Sequence, residues 1–180
     1  MKRELFNKIE IPEGIDIDVD GAKVTVKGSN GKNEREFDLA KLSLEKKGKE
    51  IIIGNKKSTK KEKRRMNTIT AHIKNMIKGV QKEFEYSLKV CFSHFPMTVE
   101  IKGNGALIKN FLGEKTPRKV KIPAGVNVTI EKDVIITSSS NKELAGQAAA
   151  NFETATKISN RDRKIFQDGI FITDKCGKEI

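Results

Sequence analysis

The feature that most restricts the fold of this 180-residue chain is an internal duplication. Residues 15–24 align with residues 99–108 at an offset of 84, where three apolar positions coincide and one Gly-Ala pair falls on another. At an offset of 83, the apolar residues at 37 and 39 correspond to Val120 and Ile122, and the apolar triplet 51–53 corresponds to 134–136. Because these matches keep a common order along the chain, they indicate one structural unit written twice.

Each half is expected to contain several strands followed by one helix. Alternating apolar residues over 15–26 predict strands, and the Gly-Ser-Asn-Gly sequence at 28–31 predicts a tight turn. Aromatic and aliphatic residues alternate along segment 84–92. Strands that stack on nucleic-acid bases show this pattern, but half-buried strands show it far more often, so we assign the row to the core. We therefore expect an α+β fold of two tandem domains, 1–83 and 84–180, each a small, mainly antiparallel sheet with one helix packed on one face.

Both predicted helices begin after the apolar triplet of their half. Thr59 and Ser140 each fit the first position of a capping box, in which a hydroxyl caps the helix and a Glu three residues later reaches back to it. Apolar residues spaced by three and four predict helices over about 59–82 and 140–157. Their expected buried faces are Met66, Ile69, Ile73, Met76, Ile77 and Val80 in the first and Leu144, Ala145, Ala148, Ala149, Phe152 and Ala155 in the second.

The charge of the chain restricts its partners. Lys and Arg number 36 against 24 Asp and Glu, which gives a net charge of +12. A compact body with this excess attracts polyanions, and nucleic acid is the commonest polyanion of a cytoplasm. No run approaches the roughly 18 consecutive apolar residues of a membrane span, and the first residues lack the apolar centre of a signal peptide. We expect a cytoplasmic protein that binds nucleic acid and no membrane.

Two segments concentrate the positive charge. Segment 46–65 holds ten basic and two acidic residues, across a loop and the first turns of the first helix. Cations are unfavourable at a helix N-terminus, so this arrangement favours a phosphate partner, although a basic loop that only aids solubility has the same composition. The residues of this first basic cluster are Lys56, Lys57, Lys60, Lys61, Lys63, Arg64 and Arg65.

The second basic segment is rich in glycine. Gly103, Gly105 and Gly113 would let the backbone approach a phosphate chain closely, and turn or bulge geometry explains them equally well. The residues of this second basic cluster are Lys102, Lys109, Lys115, Arg118, Lys119 and Lys121.

The residue pattern argues against catalysis. The chain has no Walker sequence, no complete dinucleotide fingerprint and no nucleophile elbow, so structural hydrogen bonding is the expected role of His72 and His94. The alternating aspartates of 16–20 are expected to face water and not a metal. Cys91 and Cys176 lack the spacing of a zinc site or a disulfide framework and are expected to be reduced, with a redox role the less favoured alternative. No cofactor, metal or small-molecule substrate is indicated.

Several longer motifs resemble those of one family. The run 66–80, followed by 84–86 and 94–97, is similar to the archaeal and eukaryotic branch of the large-subunit ribosomal protein six family. Segments 141–150 and 161–171 resemble the helix motif and the closing segment of the same family. The resemblance extends in order over essentially the whole chain.

This resemblance implies two similar α+β domains and a structural, noncatalytic constituent of the large ribosomal subunit. It implies binding to large-subunit rRNA near the base of the lateral stalk and the docking region of translational GTPases, beside neighbouring ribosomal proteins, with the second domain as the main contact. An assembly or RNA-processing factor is the alternative, and an RNA-modifying enzyme is less favoured. The predicted RNA-binding residues are Lys109, Lys115, Arg118, Lys119, Lys121, Lys142, Gln147, Arg161, Arg163 and Lys164, with the first basic cluster as a secondary patch.

The closing segment differs from the Gly- and Lys-rich ending of the bacterial branch. Residues 167–171 read Gln-Asp-Gly-Ile-Phe here. Direct RNA contact by this segment is therefore not expected, and Ile170 and Phe171 are expected to pack against the core.

Overall fold

A computed structural model describes residues 3–162 and 164–180 and contains two compact units, the first ending at Glu83 and the second running from Phe84 to Ile180. Within the described ranges each unit has one α-helix, and all paired strands are antiparallel. The predicted α+β fold with two tandem domains is confirmed.

The first unit divides its strands between two three-stranded sheets. Its elements are β1 (Arg3–Glu10), β2 (Asp16–Asp20), β3 (Lys23–Gly28), β4 (Gly31–Glu36), β5 (Ser43–Lys47), β6 (Glu50–Ser58) and α1 (Lys60–Gln81). The sheet orders are β1-β6-β5 and β2-β3-β4. Helix α1 contacts strands of both sheets, so one apolar stripe closes the core against two sheets, where the sequence predicted one.

The second unit repeats this arrangement and adds a strand. Its elements are β7 (Phe84–Cys91), β8 (Thr98–Lys102), β9 (Gly105–Lys109), β10 (Arg118–Lys121), β11 (Asn127–Glu131), β12 (Val134–Ser139), α2 (Lys142–Ala155) and β13 (Gly169–Lys175), with a short 3-10 turn at Phe111–Gly113. The sheet orders are β8-β9-β10 and β11-β12-β7-β13. Strand β7 takes the place that β1 has in the first unit. Among the described residues, the outer edge of β1 has no partner strand in its sheet, whereas the same edge of β7 pairs with β13.

The helix of the first unit follows its predicted pattern. Met66, Ile69, Ile73, Ile77 and Val80 are buried against the two sheets. The capping box at the start of α1 is present. The Thr59 side chain accepts a backbone N–H of the first turn, and the backbone N–H of Thr59 donates to the Glu62 carboxylate at 2.9 Å. Met76 is partly buried against the same core.

The turn at 28–31 also has a tertiary role in the first unit. It closes the β3–β4 hairpin, with Gly28 paired to Gly31. The Asn30 backbone N–H donates to the Val80 carbonyl at 3.0 Å, and its side-chain amide donates to the Gln81 carbonyl at 3.0 Å. The hairpin therefore caps the C-terminal carbonyls of α1, which have no partner within the helix.

In the second unit, small residues on α2 allow close packing. Ala145, Ala148, Ala149 and Phe152 are fully buried, while Leu144 and Ala155 are half-buried. The capping box predicted at Ser140 is wrong: Asn141 is the N-cap, and its side chain accepts the backbone N–H of Glu143 at 2.9 Å.

Two aromatic residues predicted to be buried are exposed. The expected core row of β7 holds as far as Val90, but the strand ends at Cys91 and Phe92 is 43% exposed. On β13, Ile170 is buried as predicted, whereas Phe171 is 43% exposed. Neighbouring residues of a strand face opposite sides of its sheet, so Ile170 and Phe171 do not both enter the core.

Candidate nucleic-acid interface

One face of the three-stranded sheet in the second unit is strongly basic. Pairing places Lys119 opposite Leu107 and Lys121 opposite Gly105, on the side away from the buried residue Val120. The side chains that share this face by register include Glu100, Lys102, Lys109, Lys119 and Lys121. The Lys109 ammonium pairs with Glu100 at 2.7 Å. Among the residues that the structure describes, no carboxylate lies at ion-pair distance from Lys102, Lys119 or Lys121, so these three lysines supply the excess positive charge of this face. We name this surface the lysine face.

Arg118 belongs to the same strand but lies on its other side. Its Nε and Nη2 donate to the two carboxylate oxygens of Glu114 at 2.8 and 2.5 Å, and its Nη1 donates to the Ala155 carbonyl at 2.7 Å. The guanidinium carbon lies 4.2 Å from the centre of the Phe111 ring. Arg118 therefore caps the C-terminus of α2, where a cation is favoured by the helix dipole. An RNA contact by Arg118 remains a prediction beside this internal role.

A stacked cluster holds the segment that precedes β13. The guanidinium of Arg161 lies 4.8 Å from the centre of the Phe166 ring, and Phe166 stacks on His94 with 4.9 Å between ring centres. The charge of Arg161 also acts on Glu114, whose pKa is lowered mainly by its hydrogen bonds to Arg118. The predicted RNA-binding residues Arg118 and Arg161 are thus brought to one corner, at the C-terminal end of α2.

The cluster is anchored by a buried carboxylate that sequence reasoning missed. Asp168 is 1% exposed. Its Oδ1 accepts the Ser93 backbone N–H at 3.0 Å, the Ser93 hydroxyl at 2.8 Å and His94 Nδ1 at 3.0 Å, and its Oδ2 accepts the His94 backbone N–H at 3.2 Å. Burial raises the pKa of Asp168, but the hydrogen bonds from His94 and Ser93 outweigh it and hold the pKa well below the ordinary range.

Ser93, His94 and Asp168 do not form a catalytic triad despite their proximity. In a triad one ring nitrogen faces the nucleophile while the other faces the carboxylate. Here the Ser93 hydroxyl and Asp168 both approach Nδ1, at 3.1 and 3.0 Å, and the hydroxyl donates to the carboxylate. The structural hydrogen bonding predicted for His94 is confirmed.

The remaining predicted residues of the second unit lie apart from one another. Lys142 is the first residue of α2, with its ammonium 5.6 Å from the centre of the Phe84 ring. Gln147 donates to the Asn151 side chain at 2.8 Å, and Asn151 donates to the Lys121 carbonyl at 2.8 Å, so Gln147 is linked to the lysine face.

Lys115 and Lys164 occupy exposed connecting segments. The backbone N–H of Lys164 donates to the side chain of Asp162 at 2.9 Å. Arg163 lies outside the described residues.

The first basic cluster occupies the first unit. Lys56 and Lys57 lie at the end of β6, and the other five residues lie on the first turns of α1. The side chain of Arg65 pairs with Asp38 at 3.2 Å.

Other candidate sites have ordinary structural explanations. Asp16 and Asp18 are exposed and pair with Lys46 and Lys27 at 3.8 and 3.6 Å. No group of three or more His, Cys, Asp or Glu suited to a metal occurs in the part of the chain that the structure describes. Both cysteines are free thiols, and neither described helix is long and apolar enough to cross a membrane. Gly103 and Gly113 have positive φ angles, which supports the turn interpretation of the glycine-rich segment.

The duplication has a counterpart in known proteins. A sequence model of the family described as ribosomal protein L6 matches residues 11–83 and again residues 95–169. The chain belongs to the ribosomal protein L6 family. The two matches fall on the two repeats, and the family is one of ribosomal proteins, so the expectation of a noncatalytic protein stands.

Curated L6 relatives match the chain over nearly its full length. The large ribosomal subunit protein uL6 of Methanococcus vannielii is 42% identical over 173 residues, covering 96% of this chain and 95% of its own length. The uL6 protein of Methanobrevibacter smithii is 41% identical over 168 residues, covering 93% and 94%. That of Methanocella arvoryzae is 40% identical over 177 residues, covering 98% and 100%. The resemblance to the archaeal branch of the L6 family is confirmed.

Proposed function

We propose that this L6 protein is a structural constituent of the large ribosomal subunit in the cytoplasm, where it binds large-subunit rRNA mainly through its second unit. The observation that carries the proposal is the lysine face, on which Lys102, Lys119 and Lys121 share one sheet surface and have no carboxylate partner among the described residues. Family membership supports rRNA as the polyanion, because the matching relatives are large ribosomal subunit proteins.

The binding that we infer depends on phosphate contacts and shape. Lysine ammonium groups are point charges that neutralise phosphates without reading base sequence, and each contact releases counterions. The corner of Arg118 and Arg161 is preorganised by Glu114, Phe166 and the end of α2, so little side-chain entropy is lost when RNA binds there. Neither surface requires a cofactor or a reacting group.

We further propose that the bound rRNA lies near the base of the lateral stalk, beside neighbouring ribosomal proteins and the region where translational GTPases dock. The resemblance to the L6 family supports this location. A map of crosslinks between each unit and the rRNA tests it: crosslinks from the second unit are expected in stalk-base rRNA, and crosslinks confined to distant rRNA domains would refute the location.

Washing isolated large subunits with increasing salt tests the constituent role. A constituent is expected to stay near one copy per particle until other core proteins also dissociate. An assembly or processing factor would leave at low salt or be present on only a fraction of particles, and that result would refute the proposal.

A pair of double variants tests the lysine face itself. Lys119→Gln with Lys121→Gln is expected to reduce the slope of log K against log salt by about 1.4 to 1.8, since each lost phosphate contact removes about 0.7 to 0.9. Lys175→Gln with Lys178→Gln removes the same charge from exposed positions near the C-terminus and is expected to change the slope less. Equal effects of the two pairs would refute a defined phosphate surface.

A further inference from the structure

We propose that the first unit carries a separate groove for an RNA phosphate chain, formed by one stripe of α1 and by Arg35 of β4. The inference rests on the proposed function, because it concerns the same class of partner. It adds Arg35 and His72 to the first basic cluster, and neither was a predicted binding residue.

The groove is an open cavity of about 450 Å³ beside the first three turns of α1. The helix lines it with Lys61, Arg64, Arg65, Thr68 and His72, which recur at spacings of three and four. These positions form one stripe, and the rise of an α-helix places its ends about 16 Å apart. The opposite wall is the end of β4 and the residues after it, Arg35, Glu36, Phe37 and Asp38.

Arg35 is held toward the groove by two contacts. Its Nη1 lies 3.3 Å from Nδ1 of His72, and because a guanidinium has only donors, this ring nitrogen accepts. Its guanidinium carbon lies 5.6 Å from the centre of the Phe37 ring, which is itself buried. A planar fork fixed in this way is suited to the oxygens of a phosphate.

The charges along the stripe favour an anion with repeated charge. Four basic side chains line the groove against Glu36 and Asp38, and Asp38 is paired with Arg65 at 3.2 Å. Within the described ranges, no carboxylate lies at ion-pair distance from the exposed side chains of Lys61 and Arg64.

The position of these cations on the helix also points to a ligand. Cations in the first turns of α1 interact unfavourably with the positive end of the helix dipole. A bound phosphate chain would reverse the sign of this interaction, and Lys56, Lys57 and Lys60 extend the positive surface beyond the groove. The cations form a row along the helix, and a strand of RNA carries a row of regularly repeated phosphate charges, so we assign the groove to RNA in preference to an acidic protein.

The test uses the full chain and a transcript of 23S-type large-subunit rRNA, with affinity measured over a series of KCl concentrations. Lys61→Gln with Arg64→Gln is expected to reduce the slope of log K against log salt by about 1.4 to 1.8. Lys47→Gln with Lys49→Gln is the matched control, because these exposed residues flank the turn at the opposite end of β6. Arg35→Lys keeps the charge and is expected to lower affinity with little change in slope.

Each outcome decides the proposal. An unchanged slope for Lys61→Gln with Arg64→Gln, or an equal change in the control, would overturn it. Competition for the groove by polyglutamate, without any effect of the variants on RNA, would assign the groove to an acidic protein and would also overturn it. If the lysine-face variants alter RNA binding while these do not, the groove fails and the proposed function stands. Loss of the protein from salt-washed subunits would refute the proposed function alone.

Discussion

Replacing Asp168 by Asn should destabilise the second unit strongly while keeping the shape of the side chain. The carboxylate accepts four hydrogen bonds from Ser93 and His94 and is 1% exposed, so water does not screen them. An amide has one oxygen in place of two and no charge. If the amide oxygen takes the place of Oδ1, the NH₂ group faces the backbone N–H of His94, and two donors meet. If the amide is turned round, the NH₂ group faces the three donors that Oδ1 accepts.

The expected cost follows from these bonds. Hydrogen bonds to a charged acceptor contribute about 1.5 to 3 kcal/mol each, those between neutral groups about 0.5 to 1.5, and a buried donor left without a partner costs about 1 to 3 kcal/mol. The Asn variant loses one bond outright and weakens the other three, and such effects do not add fully within one network. We expect the free energy of unfolding to fall by about 2 to 4 kcal/mol, a large part of the ~5 to 15 kcal/mol available to a typical domain.

The pH dependence gives this prediction a second, independent measurement. The pKa of Asp168 is held below its ordinary value of 3.8, so its contribution is fully present above that value. As pH falls below about 4, the unfolded chain takes up the proton first and the contribution is lost. The difference in stability between the natural protein and the variant should therefore narrow as the pH falls below about 4.

Urea unfolding of the two proteins at several pH values measures both effects. Asp133→Asn, at an exposed turn between β11 and β12, is the control and should change stability by less than about 0.5 kcal/mol. A loss for Asp168→Asn no larger than that of the control, or a difference that stays constant at acid pH, would refute the role assigned to this carboxylate.

Three further substitutions test the packing of the units, each measured by urea unfolding. Gly28→Ala should cost about 1 to 3 kcal/mol, because the added methyl carbon would lie 2.3 Å from Val80 Cγ1. Arg118→Gln should cost about 1 to 3 kcal/mol through the lost Glu114 pair and helix cap, yet change the salt slope of RNA binding less than Lys119→Gln does. Ala149→Leu should cost at least about 1 to 3 kcal/mol, since the site is fully buried against the sheet, and near-neutral stability would contradict that packing.

Three parts of the fold that local sequence patterns specify were predicted correctly. The alternation in 15–26, the turn at 28–31 and the apolar stripe of α1 each depend on residues close together in the chain, and each is confirmed. Duplication extended these local signals to the second unit. The partition of each unit into two sheets was missed because alternation shows which residues face a core but not which strands pair.

The candidate site was less accessible to sequence reasoning because its decisive contacts are distant along the chain. His94 and Asp168 are 74 residues apart, and Arg35 and His72 are 37 apart. A lone aspartate in a polar segment has no periodicity that would indicate burial, so Asp168 gave no signal. The charge pattern around Arg118 indicates a basic run but does not show that its guanidinium also caps α2.

The two units differ at the ends of their helices, and this difference bears on how each unit positions its charged side chains. In the first unit, the β3–β4 turn caps the C-terminus of α1 with neutral groups, and the cations lie at the N-terminus, where the dipole opposes them. In the second, the longer β9–β10 connection leads to Arg118, which caps α2, and the segment before β13 adds Arg161 at the same corner. There the dipole stabilises the cations without a ligand. The corner of the second unit should therefore keep its geometry in the free protein, whereas in the groove of the first unit the side chains of Lys61 and Arg64 should gain order when an anion is bound.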